Sequence, residues 1–214
     1  MVEYLNGIRR PMRISLSKKF LYSALIFIAG VILGTISKVL DTTPSNYLPY
    51  LLEMFDLGNF FSRIGIWIFL AVVISVYSKS PVQSAVNVFL FFAGMVGSYY
   101  LYTVLVAGFF PKSYMMIWII MTCISPLIAF VSWYAKGKGI IAIFISSIIF
   151  VFISRQAFAY GFWYFDIRYI LEFLLWIATI LVLYQSHKQI IKVLAIGLVI
   201  FFLTAQTNLF WGML

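Results

Sequence analysis

FLYSALIFIAGVILGTIS, residues Phe20–Ser37, decides the fold. It is a run of 18 residues without a charge, close to the ~20 that carry a helix across the hydrocarbon core of a bilayer. Lys18 and Lys19 precede it and Lys38 follows. Only 10% of the chain is charged and 64% is hydrophobic, whereas about a quarter of a soluble domain is charged. Lipid is the solvent that such a surface requires. The run exceeds the apolar core of a signal peptide, and no small-x-small cleavage site follows Lys38. It therefore predicts a first membrane helix with its N-terminus in the cytoplasm. Ala29, Gly30 and Gly34 fall on nearly one face and predict close approach of a second helix.

Outward from this run, the same pattern repeats. Residues 1–19 form a basic cytoplasmic N-terminus carrying Arg9, Arg10, Arg13, Lys18 and Lys19 against one acid, Glu3. Residues 41–63 form an outer connection. Pro44 and Pro49 break any early helix there, and Tyr50–Leu57 reads as a short amphipathic segment at the interface. A second span begins near Asn59 and ends at Ser78. Ser80–Pro111 runs 32 residues without charge and predicts a tilted or kinked third span. The fourth, Ser113–Ala135, holds Pro126, whose missing N–H frees a carbonyl for neighbouring helices to satisfy. Gly139–Ser154, Tyr169–Gln185 and Val193–Leu214 complete the set. The fold class is all-α: one polytopic membrane domain over residues 1–214, a bundle of about seven transmembrane helices, with six the alternative count.

Charge sorting supports this arrangement. With seven spans and the N-terminus inside, ten of the fifteen basic residues are cytoplasmic, as the positive-inside rule requires. Lys79, Lys136, Lys138, Lys188 and Lys192 fall inside. Asp41, Glu53, Asp56, Asp166 and Glu172 fall outside. Trp67, Tyr99, Trp118 and Trp211 sit toward the outer ends, as an aromatic belt does. The net charge of +9 thus serves orientation, and a nucleic-acid partner is not expected. The expected setting is the bacterial inner membrane, crossed several times.

Chemistry concentrates in Ser154–Phe173, SRQAFAYGFWYFDIRYILEF. Six of the eight residues from Phe158 to Phe165 are aromatic, and the outer aromatic loop over 154–168 is the expected carrier of a site. Arg155, Asp166, Arg168 and Glu172 would line it, with Tyr160 and Trp163 stacking on a flat ligand. Asp56 and Arg63 would join from the 41–63 connection folding over it. Ionisable groups near membrane depth are functional candidates by default. A plainer reading competes: Arg168 and Glu172 are spaced i,i+4 and would pair on one helix face, while the aromatics form an interfacial girdle.

Catalysis has little to build on. HExxH and GxSxG are absent, and His187 and Cys123 fall at different membrane depths. Cys123, alone, reads as core packing. No metal or cofactor is expected, and an enzyme is the weaker expectation. Two functions compete. One is a small-solute binding or transport subunit with an outward-facing site. The other is a non-catalytic accessory, assembly or immunity-type protein that packs against partner helices or a second copy of itself. In size, cytoplasmic N-terminus and outward-facing candidate site, the chain resembles the substrate-binding subunits of energy-coupling-factor vitamin transporters. That resemblance is architectural and carries no motif, and those subunits have six spans. It implies a vitamin-like ligand and separate ATPase subunits.

Overall fold

A computed structural model describes residues 2–108, 112–161 and 163–205. The expected end of the third span at Pro111, the belt residue Trp211 and the last part of the seventh span lie outside them. The described chain is helical almost throughout: α1 (Val2–Ile8), α2 (Leu16–Thr42), α3 (Tyr50–Met54), α4 (Leu57–Ser62), α5 (Ile64–Tyr77), α6 (Pro81–Tyr102), α7 (Lys112–Ser132), α8 (Gly139–Ala157), α9 (Ile170–Leu183) and α10 (His187–Ala205). Between α8 and α9 lies a short hairpin, β1 (Phe158–Tyr160) and β2 (Phe165–Ile167). The ends follow local chemistry. The Ser15 hydroxyl accepts from the N–H of Lys18 at the start of α2, and Ser80 caps α6, with Pro81 at its first position. Both satisfy amides that a helix leaves without a carbonyl.

Five helices are long and apolar enough to cross a membrane: Leu16–Thr42, Pro81–Val106, Lys112–Lys136, Gly139–Ala157 and His187–Thr204. The two other expected spans are shorter. α5 and α9 have 14 residues each, or about 21 Å at 1.5 Å per residue, against a core of ~30 Å. The chain breaks at Arg63, so the Asn59–Ser62 stretch expected to begin the second span belongs to α4 instead. Residues 41–63 likewise hold two short helices, α3 and α4, after a 3₁₀ turn at Ser45–Tyr47.

The long helices expose apolar side chains in rows. Phe20, Leu25, Ile28, Ile32 and Ile36 are exposed on α2, and Ile117, Ile120, Ile124, Leu127 and Val131 on α7. Contiguous apolar surface on this scale is unusual in water and ordinary in lipid. Cys123 is exposed on α7, not packed in the core as its isolation suggested. It belongs to the same apolar row.

The chain divides into two compact units that interleave along the sequence. The first comprises residues 1–9, 63–73 and 134–214, the second 10–62 and 74–133.

In the second unit, α2 and α6 run parallel and pack closely. Gly30 and Gly34 are buried, and a methyl group on either would meet the backbone of Phe91 or Met95. Reciprocally, a Cβ on Gly94 would lie 2.6 Å from the Phe27 carbonyl oxygen. The small-residue face is therefore used inside the chain, although Ala29 points outward. Beneath this contact lies a buried polar cluster. Ser23 donates to Asn87 Oδ1 at 2.8 Å, Gln83 Nε2 donates to Ser23 and to Asn87 Oδ1, and Asn87 Nδ2 reaches Ser78 Oγ at 3.1 Å. The Trp133 indole N–H donates to the Ser78 carbonyl at 2.7 Å. Such bonds hold helices in register where lipid offers no competing partner. The carbonyl freed by Pro126 is that of Thr122, four residues back. It accepts from the hydroxyl of Ser125 at 2.8 Å, so the repair is local and needs no neighbouring helix.

In the first unit, α8 packs against both α9 and α10. Ser147 donates to the Val193 carbonyl at 3.2 Å, and Phe150, Ile190 and Val193 form a buried core with Trp176 against it. One end of this unit gathers Ile8, the 134–139 turn and the 184–187 turn: the Lys138 N–H donates to the Ile8 carbonyl at 2.7 Å, and Gln185 donates to the Ala135 carbonyl at 3.0 Å. The opposite end holds the hairpin.

Candidate functional site

At that opposite end the start of α5, the end of α8, the start of α9 and the end of α10 converge, all within the first unit. The hairpin connects α8 to α9 with Phe158 opposite Ile167, Ala159 opposite Asp166 and Tyr160 opposite Phe165. Period-2 alternation puts Phe158, Tyr160, Phe165 and Ile167 on one face. Phe158 stacks on Phe165 with centroids 5.0 Å apart and meets Trp176 edge-on at 5.2 Å. Tyr160 packs against Phe202 at 5.1 Å. The aromatics near the strands thus brace the hairpin against α9 and α10. The tip and the second strand are exposed. Trp163 is 98% exposed, with Tyr164, Phe165 and Tyr169 also exposed.

Behind the hairpin sits an ion pair. Arg63 Nε donates to Glu172 Oε1 across 109 residues of sequence, and Glu172 is 2% exposed. Gly65 lies beside it, and a Cβ there would make ordinary contacts with Gln156 at 3.5 Å and the Glu172 side chain at 4.0 Å. The Arg63 guanidinium also lies 3.9 Å over the ring of Tyr169, a cation–π contact. Breaking a buried pair of this kind costs about 3–5 kcal/mol, because the survivor is left charged and dry.

Arg168 does not form the i,i+4 pair with Glu172 that its spacing suggested. Helix α9 begins at Ile170, so Arg168 precedes it, and its N–H donates to the Ala157 carbonyl at 2.9 Å. Its Nε is buried without a hydrogen-bond partner, as is Glu172 Oε2. Each such atom carries a desolvation cost of about 1–3 kcal/mol. Arg155, in the last turn of α8, donates from Nη1 to the Thr204 carbonyl at 2.6 Å near the end of α10, and the like charge of Arg168 acts on it.

Of the eight residues expected to form a site, Arg63, Arg155, Arg168 and Glu172 therefore gather at one end of the first unit. Tyr160 packs beside them on α10. Trp163 projects from the hairpin tip. Asp166 is exposed, and its Oδ1 accepts from the N–H of Ile167 at 2.8 Å. Asp56 belongs to the second unit. It adopts a left-handed backbone at φ 50°, open to a short polar side chain, and accepts from Asn59 Nδ2 at 2.7 Å. With Asp41, Glu53 and Asn59 it borders a cavity of about 160 Å³, roughly half the smallest volume usual for a small-molecule pocket. Sequence reading missed Tyr169 beneath Arg63 and Gln156 against Gly65.

In the second unit, at the C-terminal ends of α2 and α6, Lys38 pairs with Asp41 at 2.7 Å, and the Tyr99 hydroxyl donates to the same carboxylate at 2.9 Å. These groups satisfy one another and pin the helix ends. Among the described residues no three His, Cys, Asp or Glu side chains gather as metal ligands do. Compared with protein families, characterised proteins and solved structures, the chain matches none.

Proposed function

We propose that the chain is a multi-pass protein of the plasma membrane that binds a small solute at the outward-facing end of its first unit, as a binding or transport subunit. The observation that carries this reading is the convergence of Arg63, Arg155, Arg168 and Glu172, in which a buried donor and a buried acceptor have no partner. Folding alone gives little reason to strand both, since each raises the energy of the folded state. A ligand that meets them recovers that energy on binding.

In this reading all seven apolar helices cross, and α5 and α9 do so with help from flanking residues and local thinning of the bilayer. The N-terminus is cytoplasmic. Two contacts support the sidedness: the Met12 N–H donates to the Lys79 carbonyl at 2.8 Å, and the Lys138 N–H to the Ile8 carbonyl. Within each unit the N-terminal segment thus shares an end with a basic turn, as the positive-inside rule requires. The alternative, an accessory protein that docks partner helices, drew on its small-residue faces. Gly30, Gly34 and Gly94 are consumed by the contact of α2 with α6, which favours the solute reading.

The test is a thermal-shift screen of the purified protein in detergent against a panel of small solutes, with co-purification in parallel. A solute that raises the melting temperature in the wild type and not in Arg168→Gln supports the proposal. No shift with any solute, together with a stoichiometric membrane partner, replaces it with the accessory role.

A further inference from the structure

We infer that the basic end of the second unit is a binding surface for anionic phospholipid, whose headgroup phosphates it meets in the cytoplasmic leaflet. This rests on the membrane-spanning part of the reading above and not on the solute. Residues 10–19 carry Arg10, Arg13, Lys18 and Lys19. Tertiary contact adds a fifth cation. The Met12 N–H donates to the Lys79 carbonyl at 2.8 Å, and Gln83 Nε2, in the first turn of α6, donates to the Lys19 carbonyl at 3.4 Å. The 79–83 turn is thereby held against the segment that leads into α2. Arg10, Arg13 and Lys18 are exposed, and Lys19 and Lys79 are half-buried.

Nothing within the unit neutralises this charge. Among the described residues none of the five cations forms an ion pair. Glu3, the one acid of the N-terminal segment, belongs to the first unit and is likewise outside any ion pair there. The acids of the second unit, Asp41, Glu53 and Asp56, all border the cavity near the C-terminal end of α2. Along that helix Asp41 lies about 34 Å from Lys18. The unit is therefore polarised, cationic at one end with no acid beside it. Clustered cations at the start of a membrane helix attract lipid phosphate, each being worth about fivefold in affinity. Cations alone suit any polyanion, and the apolar neighbours decide among them. Met12, Leu16 and Phe20 are exposed between and beside the cations, with Leu16 and Phe20 one turn apart on α2. A water-soluble polyanion leaves these side chains wet. A phospholipid covers them with its acyl chains while its phosphate meets the cations.

The test takes the full chain in a neutral detergent and follows Tm as phosphatidylglycerol, phosphatidylcholine, glycerol 3-phosphate or polyglutamate is added. Phosphatidylglycerol is expected to raise Tm at a lower concentration than phosphatidylcholine, and the difference to shrink as salt rises from about 0.05 to about 0.5 M. Each of Arg10→Gln, Arg13→Gln, Lys18→Gln and Lys79→Gln raises the phosphatidylglycerol concentration for half the shift about fivefold, and the fourfold variant loses the preference. Its Tm in phosphatidylcholine matches the wild type, because these four side chains hold no bond in the fold. Should it melt lower, Arg10→Lys with Arg13→Lys keeps the charge and must keep the preference. Equal shifts by the two lipids, or an undiminished preference in the fourfold variant, overturn the inference. Glycerol 3-phosphate or polyglutamate matching phosphatidylglycerol overturns it too, with a free anion or an acidic polymer as the occupant. Release of the protein from membranes by alkaline carbonate removes the membrane-spanning reading itself, which a missing lipid preference does not.

Discussion

Replacing Gly94 by alanine adds one methyl group to the face of α6 that lies on α2. The new Cβ falls 2.6 Å from the Phe27 carbonyl oxygen, 3.1 Å from the Val31 amide nitrogen and 3.2 Å from Val31 Cγ2. Ordinary contact begins at about 3.4 Å, so the two helices must part by about 0.8 Å at this level. Two of the three obstructing atoms are main chain within α2 and cannot rotate away. Overpacking of this kind costs about 1–3 kcal/mol, and alanine returns up to ~1 kcal/mol as a better helix former than glycine. The net loss is on the order of 1–2 kcal/mol, a drop in Tm of roughly 2–8 °C for a chain of this size. Gly97 provides the control. It lies one turn along the same helix, with nothing within 4 Å of its would-be Cβ. Gly97→Ala should keep the propensity gain without the clash and melt at or above the wild-type temperature. Melting of both variants in one detergent, followed by intrinsic fluorescence, measures the difference directly. Equal Tm values for Gly94→Ala and Gly97→Ala refute the close contact of α2 with α6.

Glu172→Met should destabilise the protein by about 3–5 kcal/mol by removing the carboxylate that faces Arg63, whereas the double change Arg63→Met with Glu172→Met should recover most of that loss; a double variant no better than the single one means that the pair is not isolated from water. Reporter fusions at Lys138 and His187 should read cytoplasmic and those at Ser45 and Gly161 external, and an external Lys138 removes the seven-pass arrangement. Asp166→Asn should change stability by less than ~0.5 kcal/mol, since an amide oxygen can still accept from Ile167. Arg155→Ala should cost about 1.5–3 kcal/mol through its lost bond to Thr204, and denaturant melts that rank the two the other way overturn these assignments.

The long helices were legible because lipid imposes one rule on them: an uncharged run near 20 residues must be helical. The Gly30 and Gly34 face was legible for a related reason, since in lipid close backbone approach substitutes for hydrophobic drive. The charged cluster was legible in composition but not in pairing. Arg168 and Glu172 look like helix neighbours only if α9 includes both, and its start at Ile170 removes one of them. The true partner, Arg63, lies 109 residues away, a distance over which local spacing carries no information. The hairpin was hidden differently. Phe158, Tyr160, Phe165 and Ile167 do alternate with other residues, but each strand has only three residues, too few for a period of two to stand out among six aromatics. Cys123 misled because burial statistics for cysteine come from proteins in water, whereas in this chain an exposed apolar side chain faces hydrocarbon.

The interleaving of the two units sets a timetable for synthesis. Every residue of the second unit has been made once Trp133 is added, whereas the first needs its opening segments, residues 1–9 and 63–73, to wait for residues 134 onward. Arg63 therefore enters the nascent protein 109 residues ahead of Glu172, a gap of roughly 5–20 s at ~5–20 residues per second. Through that interval its charge has no Glu172 to meet. The pair that joins α5 to α9 can therefore form only once α9 has been made.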